Sequence, residues 1–494
     1  MPSNWQHSQL FIDGAWRRTA RERAEQVINP ATEESVGSAP VGEEPEVGLA
    51  LSAARRAFDE GPWPRLSGAD RSLLLGRFHD ALAARAEEIV AVSVAESGPT
   101  RPVARFMHVN TALPVARYYA DLAASAPTTE SLPHSVLPAP GGASLLAGQV
   151  KAYDPVGVVS AITPFNVPFF MNVVKVFPAL AAGNTVVLKP SPFTPLSAFL
   201  LAEAAAEAGL PPGVFNLVTG GTEVGTALTT DPRVDLVTFT GSDAVGAKIM
   251  AQAAPTLKRV TLELGGKSAL IVREDADLAT AIGSAVGGIS TFSGQACALA
   301  TRHLVHNSVR EQYVAGFTEA LKRLTLGDPA EDGVTMGPLI HEAQRQRVEK
   351  YVQAGIDGGA DLVAGGRRPG HLARGYFYEP TVFDNVDNGS VIAQEEIFGP
   401  VICVIGFDSD EEAVRLANDS AYGLGGGILT RDTGRAFELA RRVRTGQFSI
   451  NGGVGGLTPV APFGGYGRSG IGRELGIEGL REYQETKVIS FKAG

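Results

Sequence analysis

The chain has 494 residues, too many for one small core, so two or three domains are expected. Its 44% apolar and 19% charged residues are ordinary for a soluble globular protein, and a net charge of −10 with both signs interspersed argues against nucleic acid or an anionic membrane as partner. Two distant cysteines make no disulfide framework, and the opening M-P-S-N-W-Q-H-S-Q-L has neither the basic nor the long apolar region of a leader. The apolar stretch 173–188 is interrupted by Lys175, Pro178, Gly183 and Asn184, short of the roughly 20 residues of a membrane helix. A reduced, cytoplasmic protein with no membrane span is expected.

Residues 10–16, L-F-I-D-G-A-W, alternate around an Asp-Gly pair, the signature of a hairpin. From 44 to 96 the apolar residues Leu73, Leu74, Phe78, Leu82, Ile89 and Val90 recur at helical steps. Residues 125–142, rich in Pro, Ser and Thr, read as an extended connector, and 143–153 as a strand whose possible partner is 486–492.

Between 157 and 272, apolar runs (156–162, 185–188, 214–218, 234–239, 268–272) alternate with helical segments, which predicts a parallel, doubly wound α/β sheet that binds ligands at its carboxyl edge. One helix, 195–208, is punctuated by Thr194 as candidate N-cap, Pro195 at its first position and Gly209 past its end. From 278 a second α/β set begins, with helices at 279–291, 309–324 and 342–358 and apolar runs at 401–407 and 425–429. Cys403 in V-I-C-V-I reads as a core strand residue.

Two motifs fail on their mechanics. Gly265-Gly266-Lys267-Ser268 resembles the end of a P-loop, but its required first glycine would fall at Thr261; Gly465, Gly467 and Gly470 have dinucleotide-fingerprint spacing without a strand before them. Phe239-Thr240-Gly241-Ser242 is better placed, since a strand ends there and a helix opens whose amides suit an anion; a plain helix cap by Ser242 is the alternative. Lys189, ending another strand, either reaches a hydroxyl or phosphate of the same ligand or is a surface lysine. Glu263 in T-L-E-L-G-G is flanked by apolar residues, so it is either ion-paired or raised in pKa and suited to general-base work. Asn166 offers an uncharged amide to an oxyanion, or serves as a turn residue. Cys297 lies in S-T-F-S-G-Q-A-C-A-L-A-T-R, among small and polar neighbours that leave its sulfur approachable; a buried filler cysteine is the alternative.

Taken together, P-F-N, K-P-S-P-F-T-P, F-T-G-S-D-A-V-G, L-E-L-G-G-K-S, G-Q-A-C, E-E-I-F-G-P-V and P-F-G-G-Y-G-R-S-G resemble, in order and approximate spacing, the aldehyde dehydrogenase superfamily over nearly the whole chain. The resemblance implies Cys297 as nucleophile, Glu263 as general base and Asn166 as oxyanion donor together with the Cys297 amide. It implies a site for NAD or NADP formed by Thr163, Pro164, Phe165, Asn166, Lys189, Ser191, Pro192, Gly225, Phe239, Gly241, Ser242, Val245, Leu264 and Gly265. Glu396 and Phe398 would hold the nicotinamide ribose and ring. No metal is implied. The implied architecture is a dinucleotide-binding domain (1–130 and 152–264), a catalytic α/β domain (265–470) and an oligomerisation segment (131–151 and 471–494), in a homodimer or homotetramer.

Four positions depart from the family's pattern. Pro192 replaces a glutamate common in NAD-preferring members, which leaves NADP unexcluded; Phe165 replaces a tryptophan, Phe292 an asparagine and Gly467 a lysine. Val174 stands where small-aldehyde enzymes often carry a tryptophan, and the glycine-rich loop 451–457 leaves the substrate mouth open. An aromatic or medium-chain aliphatic aldehyde is therefore expected, oxidised through a thiohemiacetal and thioester to the acid. A coenzyme A-acylating enzyme and a cofactor-independent cysteine hydrolase are the alternatives; Glu263 argues against the first, and the Gly241–Ser242 phosphate site against the second.

Overall fold

The computed structural model describes residues 5–138, 140–142, 144–452 and 457–492. Five short apolar strands centre its first sheet, in the order Arg259–Glu263, Leu236–Thr240, Val158–Ile162, Thr185–Lys189 and Phe215–Leu217, all parallel. Four of the five are buried throughout, as strands covered by helices on both faces must be. Chain order reverses at Val158–Ile162, because the next strand in sequence pairs on one side of it and Leu236–Thr240 on the other. Such a reversal opens a crevice at the carboxyl ends of the two strands that flank it.

Antiparallel additions close both edges. At one edge Gln9–Ile12 pairs with Ala15–Arg18 through the expected two-residue turn, with Asp13 (φ 58°) and Gly14 (φ 72°) both left-handed as a type I′ turn requires. At the other, Gly470–Ile471 pairs with Arg259–Glu263. Here lies the physical reason for the misleading glycine spacing: a Cβ on Gly470 would come 1.9 Å from the Leu262 carbonyl oxygen. That glycine lets two backbones meet and cradles no phosphate.

The second sheet runs Asp361–Ala364, Thr381–Asp384, Val401–Phe407, Ala300–His306, Ser268–Val272, Gly426–Leu429 and Ser449–Ile450, parallel except at Asp361–Ala364. Ser268–Val272 belongs to this sheet rather than to the first α/β set, where its apolar run had suggested it; only Leu264–Lys267 separates it from the last strand of the first sheet. Cys403 is fully buried in Val401–Phe407, as its apolar neighbours indicate.

Two other expectations change. The helix after Thr185–Lys189 spans Leu196–Ala208, and Thr194 does not cap it. Its first amides, Leu196 and Ser197, donate instead to the Glu96 carboxylate at 2.7 and 3.1 Å, a cap delivered from a distant helix. Burial raises the pKa of Glu96 to about 7. The segment read as a connector is largely a strand, Thr129–Pro138, paired with Ser144–Pro155, which in turn pairs with Gln484–Lys492. Backbone pairing on a three-stranded sheet outweighed the weak strand preference of its Ser, Thr and Pro residues.

Helix Pro168–Ala181 is buried along its whole length beneath the crevice. It carries Lys175, whose Nζ meets Glu474 Oε1 at 2.6 Å and donates to Thr238 Oγ1 at 3.0 Å, with both charged side chains almost fully buried. This pair ties the helix to the segment after Gly470–Ile471. No helix among the described residues is long and apolar enough to cross a membrane.

Candidate active site

Strands of the first sheet end at the crevice, and strands of the second begin there. Pro164, Phe165 and Asn166 follow Val158–Ile162, Gly241 and Ser242 follow Leu236–Thr240, and Leu264 and Gly265 follow Arg259–Glu263; Cys297 precedes Ala300–His306, and Glu396 and Phe398 precede Val401–Phe407. All ten of these residues line one cavity of about 380 Å³. The same cavity admits Val167, Met171, Gln344, Arg347 and Tyr422, none of which the sequence reading singled out.

The loop that carries Cys297 is held in an uncommon shape. Phe292 (φ 48°) and Ser293 (φ 54°) are both left-handed, a conformation that persists only where the surroundings fix it. Ser293 Oγ donates to the Gly337 carbonyl at 2.6 Å, and the Gln295 side chain donates to Phe292 O at 3.0 Å while accepting from Ile340 N at 3.1 Å. Beyond the cysteine, buried Arg302 donates to Lys267 O at 3.0 Å and fastens this strand to the crossing between sheets. Asn166 Nδ2 donates to Gln295 O at 2.8 Å, which sets the amide against the same loop.

Cys297 is partly open to the cavity. Burial of its remaining surface, then the carboxylates of Glu263, Glu396 and Glu474, hold the thiol well above its ordinary pKa. Glu263 is 2% exposed, and neither of its oxygens has a hydrogen-bond partner among the described residues. Burial, then the neighbouring Glu474, raise its pKa well above the carboxylate range, opposed by Lys175 and Arg473. Of the two readings of Glu263, the ion pair is absent and the raised carboxyl is present. The nearby ion pair belongs to Glu474 and Lys175, and its one local sign is a lysine inside an apolar helix.

The Glu396 carboxylate accepts a hydrogen bond from Gly266 N at 3.0 Å, the one hydrogen bond of this side chain among the described residues. A Cβ at position 265 would come 2.4 Å from Glu396 Oε2, so Gly265 leaves that oxygen free toward the cavity. Burial raises the Glu396 pKa to about 7, against the Gly266 N–H, Lys267 and Arg347, which lower it, and with Asp243, which raises it. Gln344 Nε2 donates to Ile397 O and Phe398 O at 3.1 and 2.7 Å, and Arg347 Nη2 donates to Glu396 O at 2.7 Å. The segment is thus clamped by its carbonyls from one helix, Glu342–Asp357.

Ser242 caps the helix Asp243–Ala253, its Oγ accepting from Val245 N at 3.4 Å, so the cap reading and a place on the cavity hold together. The other expected cofactor residues, Thr163, Lys189, Ser191, Pro192, Gly225, Phe239 and Val245, do not line this cavity. Three of them meet one another: Thr163 N donates to Lys189 O at 3.1 Å, and Lys189 Cε lies 3.7 Å from the position of a Cβ on Gly225. Lys189 is buried, which lowers its pKa to about 8, and its Nζ donates to Pro190 O at 3.2 Å. Residues 453–456 of the glycine-rich loop lie outside the described residues.

Residues 16–489 match the model of the aldehyde dehydrogenase family. The chain is 42% identical to a geranial dehydrogenase of Castellaniella defragrans over 483 residues, covering 98% of each. Among solved structures it superposes with a TM-score of 0.93 on an aldehyde dehydrogenase of Mycobacterium tuberculosis complexed with NAD+, at 42% identity over 99% of this chain and 98% of that one. A Pseudomonas syringae aldehyde dehydrogenase complexed with NAD+ and octanal gives 0.93 at 40% identity, over 99% and 98%. The chain belongs to the aldehyde dehydrogenase family and is an NAD(P)-dependent aldehyde dehydrogenase.

Proposed function

We propose that the chain oxidises a medium-chain aliphatic or aromatic aldehyde to its carboxylic acid with Cys297 as nucleophile, Asn166 as oxyanion donor and Glu263 as general base. The observation that carries this reading is the meeting of thiol, amide and Glu396 carboxylate in one cavity beside an unpaired buried carboxyl. That cavity fits a dinucleotide: Glu396 turns a free oxygen toward it, suited to ribose hydroxyls, and the amides opening Asp243–Ala253 are suited to a pyrophosphate. Phe398 and Phe165 supply flat apolar walls. When bound, the dinucleotide supplies the hydride acceptor.

The Cys297 sulfur, once deprotonated, adds to the aldehyde carbon, and the carbonyl electrons move to oxygen. Asn166 Nδ2 and the Cys297 amide donate to that oxyanion, lowering the barrier where charge develops. Loss of hydride leaves a thioester on Cys297. Glu263 then takes a proton from water, whose oxygen attacks the thioester; the C–S bond breaks, and acid and thiol are restored. A carboxyl raised above its usual range by burial is a stronger base once ionised.

The acyl side of the site is hydrocarbon. Cys297, Ala298 and Leu457 pack against the cluster that holds Val167, Phe170, Met171, Val174 and Phe292. One relative is a geranial dehydrogenase and one was solved with octanal, while others are betaine aldehyde and aminoaldehyde dehydrogenases. The terminal sheet exposes Val136, Leu137, Leu146, Val488, Ile489 and Phe491, an apolar surface suited to a second copy of the chain, and two free cysteines suit a reducing, cytoplasmic setting.

Catalytic efficiency for octanal and benzaldehyde should exceed that for acetaldehyde by about tenfold or more, since each buried methylene is worth about 0.8 kcal/mol; Val174→Trp should remove most of that margin, and a preference for acetaldehyde in steady-state assays would contradict the assignment. Because the ionised form of Glu396 accepts from ribose hydroxyls and its pKa is about 7, the KM for the dinucleotide should fall as pH rises from 6 to 8. Glu396→Gln should raise KM and flatten that profile, and an unchanged profile would remove Glu396 from the ribose site. Light scattering should give a mass of two or four chains; a mass of 51.7 kDa would contradict the role given to the terminal sheet.

A further inference from the structure

Four rings from separate segments meet beside the cavity. Phe165 follows Val158–Ile162 and Phe193 follows Thr185–Lys189, so both ride on the first sheet; His341 precedes helix Glu342–Asp357 and Phe398 precedes Val401–Phe407, so both ride with the second. Across that division the Phe193 and His341 rings lie 4.4 Å apart at 45°, Phe165 and Phe398 5.8 Å apart edge to face, and Phe165 and His341 6.0 Å apart. Phe165 also meets Phe193 edge to face at 6.3 Å. Phe165 and Phe398 line the cavity; Phe193 and His341 do not, and back them from outside.

His341 is tied to the clamped segment. Its Nδ1 accepts the Gln344 N–H at 3.0 Å, and the Gln344 side chain holds Ile397 O and Phe398 O. Phe398 itself sits at φ 61°, a conformation these bonds must maintain. Burial lowers the His341 pKa, which keeps Nδ1 an acceptor at neutral pH. Phe193 is 46% exposed, so its ring adds little to any core; what it touches is the wall of the cavity.

We propose that Phe193 and His341 form a clasp between the two sheets, positioning residues that hold Phe165 and Phe398 against the bound dinucleotide and set how fast the reduced dinucleotide leaves. Parting the sheets must break the Phe193–His341, Phe165–His341 and Phe165–Phe398 contacts together. The proposal rests on reading the cavity as the dinucleotide site.

The test is the dissociation rate of NADH or NADPH, whichever the wild type binds more tightly, followed by its fluorescence after mixing the complex with excess oxidised dinucleotide. Phe193→Leu, and His341→Asn, which keeps a helix-capping side chain and removes the ring, should each speed release about three- to tenfold, the range of one aromatic contact. The double variant should release no faster than the faster single one. His341→Phe, which keeps a ring and loses the cap, should stay within about twofold of wild type. Single variants within twofold of wild type, effects that multiply in the double variant, or His341→Phe behaving like His341→Asn would each overturn the clasp. If wild type binds neither reduced dinucleotide, the cavity assignment fails and the clasp with it, a result distinguishable from bound ligand leaving at unchanged rates.

Discussion

Between Glu263 and Ser268 the chain leaves one parallel sheet and enters another, and the site is assembled around that short crossing. Glu263 ends the last strand of the first sheet, Gly265 and Gly266 receive the Glu396 side chain, and Lys267 is held through its carbonyl by Arg302 from the strand that follows Cys297. Carboxyl ends of one sheet therefore face amino ends of the other across a single crevice. A parallel sheet alone offers its carboxyl edge to a ligand. Two sheets set edge to edge furnish the proposed site together, Asn166 and Glu263 coming from the first and Cys297, Glu396 and Phe398 from the second.

The electrostatics of the crevice follow from burial. Thiol and carboxyl both resist ionisation, Cys297 because hydrocarbon and three carboxylates surround it, Glu263 because it is dry, unbonded and close to Glu474. A thiol that resists ionisation is guarded from unwanted reaction. The Lys175–Glu474 pair supplies fixed charge nearby without neutralising Glu263, since its own partners satisfy it. Losing either member would leave the other charge buried and unpaired, which is strongly destabilising.

Much of this was legible in the residues. Asp13-Gly14 announced a type I′ hairpin because only a few residue types tolerate two left-handed positions, and the alternation of apolar runs with helices announced parallel sheets because buried strands need no polar face. The proposed catalytic trio could be picked out by its setting: a cysteine among small residues, a carboxylate among apolar ones and an amide beside prolines. What escaped the reading is long-range. Glu96 caps a helix 100 residues away, Lys175 meets Glu474 across 299, and Thr129–Pro138 became a strand only because a partner was available. The grouping of Ser268–Val272 with the apolar runs of the first sheet failed for the same reason, since the four residues of crossing carry no local sign of a change of sheet. His341 and Phe193 likewise mean nothing apart in sequence, and acquire a relation only when the sheets face each other.

The proposed reaction depends on the Cys297 sulfur holding the oxidised substrate covalently until Glu263 activates water. Intact-protein mass spectrometry of Glu263→Gln, mixed with octanal and oxidised dinucleotide, tests this most directly. The expected result is a mass increase of one octanoyl group that maps to Cys297, with one equivalent of reduced dinucleotide formed rapidly and slow turnover afterwards. A variant that carries no adduct and turns over at the wild-type rate would contradict the account.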